Sequence, residues 1–154
     1  MKHLSLVGRI VLLFTFAFVF QAGAQDVNLK TRSTQIGIDN NGYFSSIQVE
    51  GKDILHTGKY PLVTACIDNK LVTPTKLTSS GNQLKLTMSD GGSISLKHKE
   101  SDVCITLEVA NIPEKYEVLL FGPLAVTINE VVGDVVGVAQ GNGVAFGIQA
   151  LNIK

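Results

Sequence analysis

Three features of the sequence predict an all-β fold, an antiparallel β-sandwich. Apolar and polar residues alternate with period two through most of the chain after residue 25. Turn residues punctuate these runs at roughly the 8–12-residue spacing of sandwich and barrel strands. No window beyond residue 25 sustains the period of an amphipathic helix.

The elements follow in chain order. Asp26 to Ser33 reads as a polar lead-in. Ile36 and Ile38 alternate with Gly37 and Asp39, and Asn40-Asn41-Gly42 supplies residues that tolerate positive φ, so a hairpin turn is expected there. Phe44, Ile47 and Val49 form the return strand. Leu62 to Ile67 is a further apolar run, closed by Asp68-Asn69-Lys70. Leu84, Leu86 and Met88 alternate with Gln83, Lys85 and Thr87, and Ser89-Asp90-Gly91-Gly92 makes a turn before Ile94 and Leu96. Val103, Ile105, Leu107 and Val109 alternate with Cys104, Thr106 and Glu108, giving these middle strands one core face and one wet face. The stretch from Ile128 to Val138 is rich in β-branched residues and interrupted by Gly133 and Gly137, which fits strand, turn, strand better than helix. From Val118 to Ile148 the alternation fades into continuous apolar pieces, expected to be buried on both faces or to meet a partner. Gly141-Asn142-Gly143 reads as a hairpin turn among them. Pro61, Pro74, Pro113 and Pro123 fall at run edges, where strands tolerate proline.

The chain begins with a different kind of segment. Lys2, His3 and Arg9 precede an apolar run from Ile10 to Phe20, broken only by Thr15, and Ala22-Gly23-Ala24 follows. That order is a secretory signal, with cleavage expected after Ala24. The run is too short to cross a bilayer, which takes about 20 apolar residues, and no cysteine near the cleavage point offers a lipid anchor. The expected organisation is a signal peptide over 1–24 and a β-sandwich domain over 25–154, with no membrane span once the signal is removed and a periplasmic or secreted location. Cleavage leaves 130 residues with 11 basic and 13 acidic side chains, a net charge of −2. The intact chain is formally neutral. Neither balance suits a nucleic-acid partner. A domain of this size buries roughly two-thirds of its unfolded surface, enough for a core without staples. The sequence closes on the apolar run Ala150-Leu151-Asn152-Ile153-Lys154. We expect from it the N-terminal module of a longer protein, or part of a larger sandwich, that self-associates through Val118 to Ile153 when made alone.

No constellation for catalysis emerges, and no catalytic, cofactor-binding or metal-binding residue is assigned. His56 sits at a strand end or turn, and His98 continues the apolar phase of Ile94 and Leu96. Either is a general base in principle. The spacings His-x-His, His-Glu-x-x-His and Cys-x-x-Cys are missing from the sequence, so it offers no zinc signature. The serine turns do not form a nucleophile elbow, and the glycines from Gly133 to Gly147 match no phosphate-binding loop. Glu130 lies between apolar runs and reads as a loop residue before Gly133. Cys66 and Cys104 fall on the polar phase of two strands. They either pair, given Cα atoms about 4.4–6.8 Å apart, or remain two buried thiols.

The segment Ile36-Gly37-Ile38-Asp39-Asn40-Asn41-Gly42-Tyr43-Phe44-Ser45-Ser46-Ile47-Gln48-Val49-Glu50-Gly51-Lys52-Asp53-Ile54-Leu55 resembles the opening hairpin of galactose-mutarotase-like β-sandwich domains. The leader, with glutamine after Ala-Gly-Ala, is similar to those of Bacteroidetes glycan-degradation proteins. Such sandwiches form the N-terminal part of secreted glycoside hydrolases and polysaccharide lyases. The resemblance covers about twenty residues and brings no catalytic histidine or glutamate with it. It implies a non-catalytic module of an exported glycan-processing protein, with a glycan and a catalytic domain in the same or a neighbouring chain as partners. A stand-alone carbohydrate-binding module is the alternative. It ordinarily presents aromatic platforms, for which the mature chain holds Tyr43, Tyr60 and Tyr116 but no tryptophan. A small carbohydrate-active enzyme such as a mutarotase is the third reading. It calls for a pocket joining His56 or His98 to a carboxylate.

Overall fold

The computed structural model describes residues 26–133 and 137–151. The expected signal peptide lies outside them. Among the described residues every regular element is a strand, and every strand pairing is antiparallel. The all-β class is therefore as the alternation predicts.

One four-stranded sheet is built from β1 (Val27–Lys30), β2 (Thr34–Ile38), β3 (Phe44–Val49) and β4 (Lys52–Asp53), in that order. A three-stranded sheet places β5 (Val63–Ile67) between β6 (Lys70–Val72) and the later strand β11 (Val118–Phe121). A second four-stranded sheet is a meander of β7 (Pro74–Ser80), β8 (Gln83–Met88), β9 (Ser93–Glu100) and β10 (Ile105–Asn111). A small sheet of β12 (Val131–Gly133), β13 (Val138–Gly141) and β14 (Val144–Gly147) follows.

The turns explain why the hairpins close where they do. At Asp39 to Tyr43 the Asp39 carboxylate accepts the backbone N–H groups of Asn41 and Tyr43, both at 2.9 Å. Gly42 takes φ 88° there, and a Cβ on it would strike the Leu86 side chain at 2.6 Å. Glycine is thus required twice over, by backbone conformation and by close packing. Asp68 and Asn69 turn β5 into β6 with φ 49° and 59°, the left-handed pair of a tight hairpin.

One apolar core joins the sheets. Leu29, Ile38 and Ile47 from the first sheet meet Val63 and Ala65 from β5, and Leu84, Leu86, Ile94 and Leu96 from the meander. Of these, Ile38, Ile47, Leu84, Leu86, Ile94 and Leu96 are the inward positions of the period-two runs. Burying each large aliphatic side chain contributes about 1.5–3 kcal/mol before entropy is counted.

Four expectations need correction. The polar lead-in contains β1: Val27 and Leu29 point into the core while Asn28 and Lys30 face out. The β10 run does not bury an apolar face: Val103 lies in the preceding turn at 88% exposure, Ile105 and Leu107 are half-buried, and Val109 is exposed. Among the described residues β10 is an edge strand with one neighbour, and only its first half reaches the core. The first of the continuous apolar pieces, at Val118–Phe121, is not buried on both faces, and Val135-Val136 lies outside the described residues. β11 alternates instead, with Leu119 and Phe121 inward and Val118 and Leu120 each 48% exposed. Finally, Cys104 sits in the turn before β10 rather than on a strand.

Candidate functional site

The first sheet presents a polar outer face. Strand register places Lys30 opposite Gln35, Gln35 opposite Gln48, and Gln48 opposite Asp53. One row of cation, amide, amide and acid therefore crosses all four strands, spanning about 14 Å at the usual interstrand spacing. The Gln35 amide nitrogen donates to Asn28 Oδ1 at 3.0 Å, which fixes its orientation. A cavity of about 500 Å³ opens over the Lys30–Gln35–Gln48 part of this row, lined by Gln35, Gln48, Glu50 and the Lys30–Thr34 turn, while Asp53 lies outside it with Oδ1 accepting the Ile47 and Leu55 backbone N–H groups at 3.1 and 3.0 Å. A second, of about 380 Å³, lies on the other side of that turn, against Glu100, Ser101 and Asp102.

The turn between the two cavities is held from both sides. Arg32 N–H donates to the Asp102 carbonyl at 3.1 Å, and the Arg32 guanidinium meets the Asp102 carboxylate at 3.0 Å. Lys30 N–H donates to Glu100 Oε2 at 2.9 Å. Both side chains of the Arg32–Asp102 pair are largely exposed, so the pair itself adds little stability. Its effect is geometric, since it ties the β1–β2 turn to the β9–β10 turn.

A separate cluster lies at the β8–β9 turn. Asp90 Oδ1 accepts the Tyr116 hydroxyl at 2.7 Å and the Gly92 N–H at 3.0 Å, while Oδ2 meets Lys115 Nζ at 2.8 Å. The Lys115 ammonium also stands 5.2 Å from the Tyr116 ring centroid. Hydrogen bonding from Lys115, then from Tyr116, lowers the Asp90 carboxyl to about 2. Burial and the neighbouring Asp90 carboxylate push the Tyr116 phenol up from its ordinary value. The cluster pins the β10–β11 connection to a hairpin some 26 residues away in sequence.

The residues weighed from sequence fall apart in space. His56 is exposed in the turn after Leu55, its Nδ1 3.0 Å from the Thr57 carbonyl oxygen. His98 does meet a carboxylate, with Nδ1 3.3 Å from Glu100 Oε1, and its Nε2 lies 3.3 Å from the Gly81 carbonyl oxygen. Its ring nitrogens thus face protein groups, and it lines neither cavity. Glu130 is exposed, and its Oε1 accepts the Asn142 N–H at 3.1 Å, bracing the β13–β14 turn. Tyr43, Tyr60 and Tyr116 line neither cavity. Tyr116 is buried, and Tyr60 donates its hydroxyl to the Thr57 carbonyl at 3.3 Å. Cys66 and Cys104 are unbonded. Cys66 is half-buried, whereas Cys104 is exposed with its sulfur 3.3 Å from Ser101 Oγ, so neither the paired nor the doubly buried arrangement holds.

Residue composition offered no route to the amide row. Gln35 and Gln48 are ordinary polar positions until register sets them side by side. Comparison with protein-family models, with curated proteins and with solved structures finds no match to this chain.

Proposed function

We propose that this chain is a non-catalytic β-sandwich module of an exported glycan-processing protein, and that it holds glycan on the outer face of the β1–β4 sheet. The observation that carries the reading is the cross-strand trio Lys30–Gln35–Gln48 beneath a cavity of about 500 Å³, with Asp53 continuing the row beyond its lining. Amides both donate and accept, as sugar hydroxyls require, and a pair braced on a rigid sheet pays less ordering entropy on binding than a loop would. The common core shared by the two four-stranded sheets supports the sandwich part of the proposal. The signal-like leader supports the exported location. The catalytic partner, in this reading, is a domain in the same or a neighbouring chain.

The test is calorimetry on the protein beginning at Gln25 against a panel of neutral and acidic oligosaccharides. Binding is expected, and Gln35→Ala with Gln48→Ala should weaken it about tenfold. That loss corresponds to one or two hydrogen bonds at about 1 kcal/mol each. Titrations flat across the whole panel sink the reading, as does a double variant that binds like the parent.

A further inference from the structure

Two Asn–Gly dipeptides occupy hairpin turns, and the fold treats them differently. In such a pair the glycine nitrogen, unshielded by a following Cβ, can attack the asparagine side-chain carbonyl carbon. A new N–Cγ bond forms, the Cγ–NH₂ bond breaks, and the displaced nitrogen leaves as ammonia with the proton given up by the glycine amide. Water then opens the cyclic imide at one carbonyl or the other, giving aspartate or isoaspartate. Water is the only co-reactant, and nothing is oxidised or reduced.

At Asn41–Gly42 the attacking nitrogen is engaged. Gly42 N–H donates to the Asp39 carbonyl at 3.0 Å, Asn41 N–H is held by the Asp39 carboxylate, and buried Gly42 packs against Leu86 and Pro74 of the core. Reaching the geometry of attack means opening a turn that the meander clamps. Asn142–Gly143 stands at the tip of a hairpin with two four-residue strands. Both residues are exposed, with φ 51° and 80°, and a Cβ on Gly143 would meet no atom within 4 Å. Among the described residues, the hydrogen bond from Asn142 N–H to Glu130 is what holds the tip from outside. Short peripheral hairpins open at far lower free energy than core strands.

We propose that Asn142 is a site of spontaneous hydrolytic modification in the folded protein and that the fold protects Asn41. The product has structural consequences. Aspartate at 142 sets a second carboxylate beside Glu130. Isoaspartate lengthens the main chain by one methylene, which a two-residue turn cannot absorb without breaking the Gly141–Val144 pairing. Half-buried Val144 and Phe146 would then lose their seat against the core. The hairpin is thus built to be altered irreversibly with age.

The experiment incubates the native protein at mildly alkaline pH and follows both tip peptides by mass spectrometry, with isoaspartate measured separately. A sample unfolded in denaturant supplies the intrinsic rate of each dipeptide. Relative to its own unfolded rate, Asn41 should be slowed at least about tenfold more than Asn142, matching a difference in opening free energy of about 1.4 kcal/mol. Asn142→Gln, which keeps the amide but disfavours the five-membered imide, should abolish the product at 142 and leave Asn41 unchanged. Equal protection of the two sites, or greater protection of Asn142, overturns the proposal.

Discussion

Asp90 shows how much a single surface carboxylate can organise. Its oxygens reach a backbone N–H, a buried phenol and an ammonium group at once. Its folded pKa, about 2, lies below the ordinary value of 3.8, so its contribution is present above pH 4 and is lost as pH falls from about 4 to about 2. Because the group is partly open to solvent, that contribution is on the order of 1 kcal/mol. Asp90→Asn should therefore lower the unfolding midpoint at pH 7, and the gap to the parent should close as pH approaches 2. A constant gap across that range would show that the stabilisation is not ionic. Tyr116, whose folded pKa is raised, adds the opposite dependence, with stability lost as pH rises above its ordinary value of 10. The two unbonded cysteines yield another residue-level expectation. Thiol titration of unreduced, denatured protein should count two, and native protein should react first at exposed Cys104.

At the scale of strands, the meander is where period-two reasoning works best. Leu84, Leu86, Ile94 and Leu96 are fully buried, as their phase requires. Leu86→Ala removes a side chain that also walls the Gly42 turn, and a loss of about 2–5 kcal/mol is expected in denaturant unfolding. A loss under 1 kcal/mol would mean that the turn and the core relax together. Other strands were illegible for definite reasons. β1 holds only two apolar residues, too short a pattern to separate from a tail. β7 carries one large inward aliphatic, Leu77, among serines and threonines, so its alternation has nothing to alternate with. The β10 run has a perfect pattern and a poorly buried face, because alternation reports the pleat and not whether another layer covers it. The amide row was hidden for a related reason. Gln35 and Gln48 become neighbours only through register, which depends on the residues that turn the chain between them.

At the scale of the molecule, the described residues leave apolar surface uncovered on the three-stranded sheet. Val118 is the cross-strand partner of Cys66, and Cys66 is that of Leu71, which is 70% exposed. Together with Leu120 they make an outward apolar strip beside an unpaired strand edge, an arrangement that favours association. The expectation of self-association through this end of the chain therefore narrows to one face. Replacing Val118 and Leu120 with lysine should lower the scattering mass of the purified protein at high concentration without shifting its thermal midpoint by more than a few degrees. An unchanged mass would move the contact elsewhere, and a parent protein that is monomeric throughout would remove it.

The row across the first sheet also has a sense of direction. It starts at an ammonium, passes two amides and ends at a carboxylate. A linear molecule with unlike ends, laid along it, meets a different electrostatic neighbour at each end, and turning the molecule round exchanges them. In the proposed reading, the head and tail of a bound chain therefore meet unlike side chains, and four residues in register make a vector of what would otherwise be a patch.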